Sequence, residues 1–166
     1  MMSLEEGYVF IFHPIVVHFA IALVLFGVVA DCFGSLRRQM QMQEVGRACF
    51  LSGVVALGLA VVSGWIEQEL PRPASAFDEQ MQGVLFLHEY LGYGLLALFL
   101  VLAVMRLRIQ GRLPVVFVLL AALGAAGIVL QGYWGGELVY RYGAGVRAVQ
   151  VLSTLVLGSG QKKAPE

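Results

Sequence analysis

Four long apolar runs restrict the chain to a small set of folds. They cover residues 8–33, 48–66, 84–105 and 113–130, and each is close to the ~20 residues that a helix needs to cross a bilayer core. Hydrophobic residues make up 59% of the chain and charged residues only 13%. Inside lipid every backbone polar group must be satisfied within the chain, so such runs form helices. The sequence predicts an all-α integral membrane protein.

The connections between the runs carry residues that favour turns. Gly34-Ser35 follows the first run, Pro71-Arg72-Pro73 the second and Gly111-Arg112 the third. Short connections favour an antiparallel four-helix bundle in which the first and third helices are diagonal and run the same way. We therefore expect one transmembrane domain over residues 1–147 and an interfacial or flexible tail over residues 148–166.

The segment after the fourth run is apolar but interrupted by charges and glycines. We interpret Glu137–Gly158 as an external loop followed by an interfacial helix, because Arg141, Gly143 and Arg147 interrupt it. The preceding Gly132–Gly136 has neither the strand before it nor the helix after it that a phosphate-binding loop requires. A fifth span is not expected.

Basic residues predict the orientation in the membrane. Arginines follow the first and third runs, and cytoplasmic loops carry an excess of such residues. Both connections should then be cytoplasmic, with both termini on the external side of the membrane. The arginines concerned are Arg37, Arg38, Arg47, Arg106, Arg108 and Arg112.

Charge and cysteine content exclude several classes of function. The formal net charge is zero, whereas a nucleic-acid binder needs a basic surface to displace counterions. Cys32 and Cys49 are the only cysteines and form no CxxC or CxxCH pattern, so neither a covalent c-type haem nor a thiolate metal site is encoded. We interpret both as buried thiols.

The three histidines all lie near one face of the predicted bundle. Ionisable side chains within membrane spans are costly and usually functional. His18 lies in the outer half of the first run, and His88 comes about one turn after the start of the third, so the two should face each other at similar depth. His13 is some 140° from His18 around a helix, which favours a loop or supporting position for His13.

Three interpretations of this histidine cluster remain open. Two opposed imidazoles in an apolar bundle are typical of a b-type haem, with Gly92, one turn from His88, making room for the ring. A zinc or copper site would use His13, His18 and His88 with Glu67 or Glu137. In the third interpretation the histidines only hydrogen-bond nearby groups and fasten the helix ends, with no cofactor.

Aromatic and small residues add two weaker expectations. Trp65 and Tyr93 fall at the outer boundary, where they anchor the helices in the headgroup layer or, if haem is bound, shield it. Gly124-Ala-Ala-Gly127 makes a small-residue face on the fourth helix, which indicates close contact with another helix, in the same bundle or in a homo- or hetero-oligomer.

Two segments resemble a family of bacterial predicted membrane proteins, the domain of unknown function 2231. They are His13-Pro-Ile-Val-Val-His18-Phe-Ala-Ile-Ala and Gly135-Gly-Glu-Leu-Val-Tyr-Arg-Tyr-Gly-Ala-Gly-Val146. His88 also matches a histidine expected in the family, whereas Ala20 stands where many members have proline. The resemblance covers roughly residues 8 to 147.

The resemblance implies four membrane helices and redox work. Members are sometimes joined to, or encoded near, cytochrome c or Rieske-type modules, so it suggests a periplasmic redox partner of that kind. It also suggests that the segment from Gly135 folds back over the bundle mouth and brings Glu137 beside the histidines, where a carboxylate orients an imidazole. The leading hypothesis is a haem b protein that transfers single electrons near the external face, with His18 and His88 as ligands.

Overall fold

The computed structural model describes residues 12–69 and 79–144. These residues form four α-helices, each long and apolar enough to cross a membrane. The prediction of an all-α membrane bundle is thereby confirmed. The helices are α1 (Phe12–Arg37), α2 (Met40–Glu69), α3 (Glu79–Arg108) and α4 (Val115–Tyr140).

The turn expected at Gly34-Ser35 is wrong, because α1 continues to Arg37. A Cβ atom at Gly34 would lie 2.6 Å from the backbone nitrogen of Gln43, so this glycine serves the approach of α2 rather than a turn. The helix ends at Arg37, and the chain reverses at the next residue, Arg38, which has a φ of 57°. The Gln39 N–H then donates to the Gly34 carbonyl at 2.9 Å, which satisfies a backbone group at the helix end.

The fourth helix ends ten residues beyond the end of the predicted span, at Tyr140, so the loop expected to begin at Glu137 starts later. Gly132 and Gly135 are helical, and both face side chains of other helices. A Cβ atom at Gly132 would lie 3.6 Å from Ile21 Cδ1, and one at Gly135 would lie 3.1 Å from His88 Cε1. The chain turns instead at Gly143, with φ 68°, where the Ala144 N–H donates to the Leu138 carbonyl at 2.9 Å. Residues beyond 144, including the expected tail, lie outside the described range.

The helices follow one another around a ring, so that α1 and α3 are diagonal, as are α2 and α4. Contact is most extensive between α1 and α2, and consecutive helices elsewhere pack through side chains. The starts of α1 and α3 and the ends of α2 and α4 form what we call the histidine end. The opposite side, with the α1–α2 and α3–α4 connections, is the arginine end.

Glycines bring α1 and α2 into backbone contact. A Cβ atom at Gly27 would lie 2.4 Å from the nitrogen of Phe50, and one at Gly46 would lie 2.3 Å from the nitrogen of Asp31. Real Cβ atoms do not approach so closely, so only glycine permits this spacing.

The small-residue face of α4 lies inside the bundle, packed on α3. Cβ atoms at Gly124 and Gly127 would lie 2.8 Å from Phe99 Cζ and 2.6 Å from Leu95 Cδ2. Nearby, Phe50 from α2 contacts the rings of Phe99 and Phe117, with centroids 5.9 and 6.0 Å apart. Of the two contacts proposed for this face, the structure shows the one within the chain.

A buried ion pair joins the diagonal helices α1 and α3 near the arginine end. Arg106 binds Asp31 through both Nε and Nη2, the latter at 2.9 Å from Oδ1, and the two residues are only 4% and 1% exposed. Arg106 Nη1 also donates to the Ile109 carbonyl at 3.2 Å. Arg106 therefore acts as a structural residue, although its position suggested only a loop charge.

We expect the loss of one partner of this pair to destabilise the bundle. Asp31→Ala should lower the free energy of unfolding by about 3–5 kcal/mol, because it leaves the Arg106 guanidinium buried without its counter-charge. The apolar double variant Asp31→Leu/Arg106→Met should lose much less, since it leaves no buried charge. Reversible unfolding in mixed micelles measures both variants, and equal losses would contradict the assignment.

The glycine contact between α1 and α2 gives a second test. Gly27→Ala should cost about 1–3 kcal/mol of stability because the new methyl group forces the two backbones apart. Gly58→Ala is the matched control, since nothing lies within 4 Å of a Cβ atom there and alanine favours a helix. The free energy of unfolding should be equal to or above the wild-type value in Gly58→Ala and below it in Gly27→Ala.

Candidate functional site

The site consists of two inward-facing histidines and the polar groups around them at the histidine end. Helix α1 contributes His13 and α3 contributes His88, while α2 and α4 supply Ser63 and Gln131. All four lie within helices, so their backbones are fixed by helical hydrogen bonds.

His13 is bound to α2 through one ring nitrogen. Its Nδ1 lies 3.0 Å from the Ala60 carbonyl oxygen and 2.9 Å from Ser63 Oγ, and Ser63 itself donates to the same carbonyl at 2.9 Å. This last bond is one that a serine inside a helix commonly makes to a carbonyl of the preceding turn. A carbonyl only accepts, so Nδ1 of His13 carries the proton and the lone pair of the neutral ring is on Nε2.

A glycine makes room for the His13 ring. A Cβ atom at Gly64 would lie 3.0 Å from His13 Cε1 and 3.3 Å from Nδ1. The imidazole therefore lies close to the backbone of α2. Of the loop or supporting position expected for His13, the loop is wrong, because His13 is a residue of α1 whose ring faces the bundle.

His88 is held by α4 in a similar way. The Gln131 side-chain Nε2 donates to the His88 carbonyl at 2.9 Å and lies 3.2 Å from the ring Nε2. The carbonyl requires the amide nitrogen at this position, so Nε2 of His88 accepts and Nδ1 carries the proton. A Cβ atom at Gly135 would lie 3.1 Å from His88 Cε1, so this ring also rests on a glycine.

Two polar atoms of this group are buried without a hydrogen-bond partner among the described residues. They are Nδ1 of His88 and Oε1 of Gln131, a donor and an acceptor. Buried polar atoms are rarely left unpaired, and exceptions usually mark a missing water, ion or ligand. The site is therefore incomplete in its hydrogen bonding.

The structure turns His13, rather than His18, towards the interior at the end of the bundle where His88 lies. The two side chains come from diagonal helices, and His13 is held against α2 and His88 against α4. His18 is exposed on the outside of the bundle, and its Nδ1 donates to the Pro14 carbonyl of its own helix at 2.5 Å. The prediction that His18 faces His88 is wrong. The prediction that His13 and His18 lie on different faces of their helix is correct.

The other predicted site residues point away from the two histidines or contact different partners. Gly92 is buried against Gln131, with a Cβ atom there 3.1 Å from Nε2. Glu137 pairs with Arg141 at 2.8 Å, one turn along α4. Trp65 is 61% exposed and Tyr93 42% exposed, as expected for a membrane-boundary belt, and Tyr93 donates to Glu89 at 2.6 Å. Glu67 is half-buried at the end of α2.

The residues 12–69 and 79–144 contain no group of three or more His, Cys, Asp and Glu side chains placed to hold a metal ion. His13 contacts the hydroxyl of Ser63 instead, and His88 contacts the amide of Gln131. Gln131 was missed because it comes one residue after the predicted fourth span. Its signal was a polar side chain in an apolar helix, the same signal that identified the histidines.

The four long apolar helices place this chain in the class of polytopic helical-bundle membrane proteins. More particularly, the chain belongs to the family described as predicted membrane protein (DUF2231), whose match covers residues 10–148. No curated protein and no solved structure matches the chain.

The hydrogen bonds at the site predict the tautomer of each histidine. His13, His18 and His88 should all carry the proton on Nδ1 when neutral, since two donate to carbonyls and the third accepts at Nε2. Nitrogen chemical shifts of ¹⁵N-histidine-labelled protein measure this, with single His→Gln variants as assignment controls. An Nε2-protonated His13 would contradict the arrangement, and Ser63→Ala should leave His13 unchanged because the Ala60 carbonyl remains.

Proposed function

We propose that this protein is a membrane-embedded electron-transfer protein that holds one b-type haem at the histidine end of the bundle. His13 and His88 are the proposed iron ligands. The proposal depends on one observation: two imidazoles on the diagonal helices α1 and α3 are turned into the same end of an apolar bundle. A b-type haem takes one imidazole nitrogen on each face of its ring.

The chemistry of the donor set fits this group. Hydrogen bonding at Nδ1 of His13 orients the ring and leaves Nε2 with its lone pair, the arrangement that histidine ligands of metals adopt. Gly64 and Gly135 let each ring lie close to the backbone of the neighbouring helix.

Coordination through Nε2 of His88 requires the Gln131 amide to release that nitrogen. The amide keeps its second bond, to the His88 carbonyl at 2.9 Å. A bound haem would supply a one-electron couple, and the protein residues would fix the two nitrogens, exclude water and set the surrounding charge.

The arginines at the opposite end favour an external histidine end, by the positive-inside tendency. The described part of the histidine end is acidic, with Glu67, Glu89 and Glu137 against Arg141 alone among lysines and arginines. This charge suits a partner with a basic docking face, and a periplasmic cytochrome c or Rieske-type protein is the redox partner proposed.

One observation favours a second candidate, a structural subunit without a cofactor. His13 joins α1 to α2, and Gln131 joins α4 to α3, by direct hydrogen bonds. Such bonds between helices contribute about 0.6–2 kcal/mol each in membranes, so the same residues can fasten the bundle. A zinc or copper site at His13 and His88 is the third possibility, and it would need further ligands beyond the two imidazoles.

Absorption spectra of histidine variants test the haem proposal. Protein expressed with added haem precursor and purified in detergent should show a Soret band and a pyridine haemochrome. His13→Ala and His88→Ala should each lose the haem, because each removes one of the two imidazoles that would hold the iron. His18→Ala is the matched control and should retain it, since His18 faces away from the site.

Metal analysis of the same preparation separates the three candidates. Iron with porphyrin supports haem, zinc or copper without porphyrin supports the bare-metal site, and a folded, colourless and metal-free protein supports the structural subunit. Loss of haem from His18→Ala with retention in His13→Ala would overturn the ligand assignment.

A further inference from the structure

Exposed arginines give the arginine end a basic surface. Five arginine side chains are exposed there, against Glu44 as the one exposed carboxylate in the described part of this end. The sixth arginine, Arg106, adds no free charge, because Asp31 neutralises it inside the bundle. None of the five pairs with a carboxylate among residues 12–69 and 79–144. The exposed arginines are Arg37, Arg38, Arg47, Arg108 and Arg112.

Arginines from both connections belong to this one surface. The Leu113 N–H donates to Ser35 Oγ at 2.9 Å, which places the α3–α4 connection against the end of α1. Arg112 directly precedes Leu113, and Arg37 and Arg38 follow Ser35 by two and three residues. The buried ion pair joins α1 to α3 about one turn further into the bundle. Positive charges from the two connections therefore share one surface, although a long stretch of sequence separates them.

Apolar side chains that face lipid adjoin these arginines. Leu36 immediately precedes Arg37 and is 72% exposed, and Val115, three residues after Arg112, is also 72% exposed. The Arg37 guanidinium lies over the Phe33 ring at 5.8 Å, so its charge is held next to an apolar surface. An anion bound here would lie where the apolar surface of the bundle ends, which is the depth of the headgroup layer of a bilayer. A phospholipid meets both conditions, since its chains cover apolar side chains and its phosphate binds guanidinium groups.

We infer that the arginine end binds anionic phospholipid, with the headgroup phosphate bound by Arg38 of the α1–α2 connection and Arg112 of the α3–α4 connection. Arginine forms two parallel hydrogen bonds with a phosphate, and each basic side chain near a membrane surface strengthens the binding of an anionic lipid about fivefold. A zwitterionic lipid gains less, because its own cation is repelled by the arginines. The inference does not depend on the haem proposal, since the proposed haem site lies at the histidine end.

Lipid binding to the full-length protein tests the inference. Protein freed of lipid in a neutral detergent is titrated with dioleoyl phosphatidylglycerol, and bound lipid is counted by native mass spectrometry. Dioleoyl phosphatidylcholine has the same chains and no net charge, and wild type should bind it about 25-fold more weakly, the effect of two arginines. Raised salt should narrow this difference, because it screens exposed charges. The salt dependence of wild type is a test that needs no variant, and a preference that salt leaves unchanged would contradict the assignment.

Arg38→Gln/Arg112→Gln should remove the preference, so that the two lipids bind about equally. Arg141→Gln is the matched control, because it removes an exposed arginine at the histidine end, and it should keep the wild-type preference. Equal binding of both lipids by wild type would overturn the inference, as would an unchanged preference in the double variant. Displacement of phosphatidylglycerol by an equal concentration of inorganic phosphate would show that the surface binds a soluble anion, and would overturn it too.

Discussion

In a bilayer, the burial of apolar side chains does not by itself hold helices together, because lipid tails are as apolar as leucine. Close packing and polar contacts between helices must do so. In this protein glycines provide the first, with α1 and α2 touching at Gly27 and Gly46. Polar contacts provide the second, at both ends of the bundle. The remaining features of the structure depend on this division.

The two ends differ in how completely their polar groups are satisfied. At the arginine end, Arg106 binds Asp31 through two nitrogens and the Ile109 carbonyl through a third. Ser35 Oγ there accepts from the Leu113 N–H at 2.9 Å, which ties the α3–α4 connection to α1. At the histidine end a donor and an acceptor remain unpartnered in the described part of the chain. The arginine end is therefore the more completely hydrogen-bonded of the two ends.

Helix number, the membrane environment and the location of the histidines at one end could be predicted from the sequence, because run length and residue type determine them. The inward-facing residues could not. In a soluble helix the polar face marks the outside, but here both faces are apolar, so the sequence gives no phase. The angle of about 140° between His13 and His18 around the helix correctly predicted that they lie on different faces. It did not show which of the two faces the interior.

Helix ends were less predictable, because glycine has two uses in a membrane protein. Gly34 and Gly135 look like turn residues in sequence, yet both are helical and lie against a neighbouring helix. Gly143 is a true helix end, with its positive φ. Only the position of the neighbouring chain distinguishes these cases. Asp31 was overlooked for a related reason, since its partner Arg106 is 75 residues away and was counted as a loop charge.

The same packing makes the two halves of the bundle differ. Backbone contact at Gly27 and Gly46 closes the α1–α2 interface towards the arginine end. Helices α3 and α4 are separated by leucine side chains, which leave an apolar groove between them. His13 is held against the closed pair by Ala60 and Ser63, whereas His88 is held against α4 through the side chain of Gln131. The two histidines therefore depend on different helix contacts, and a change in the packing of α3 on α4 would move His88 without moving His13.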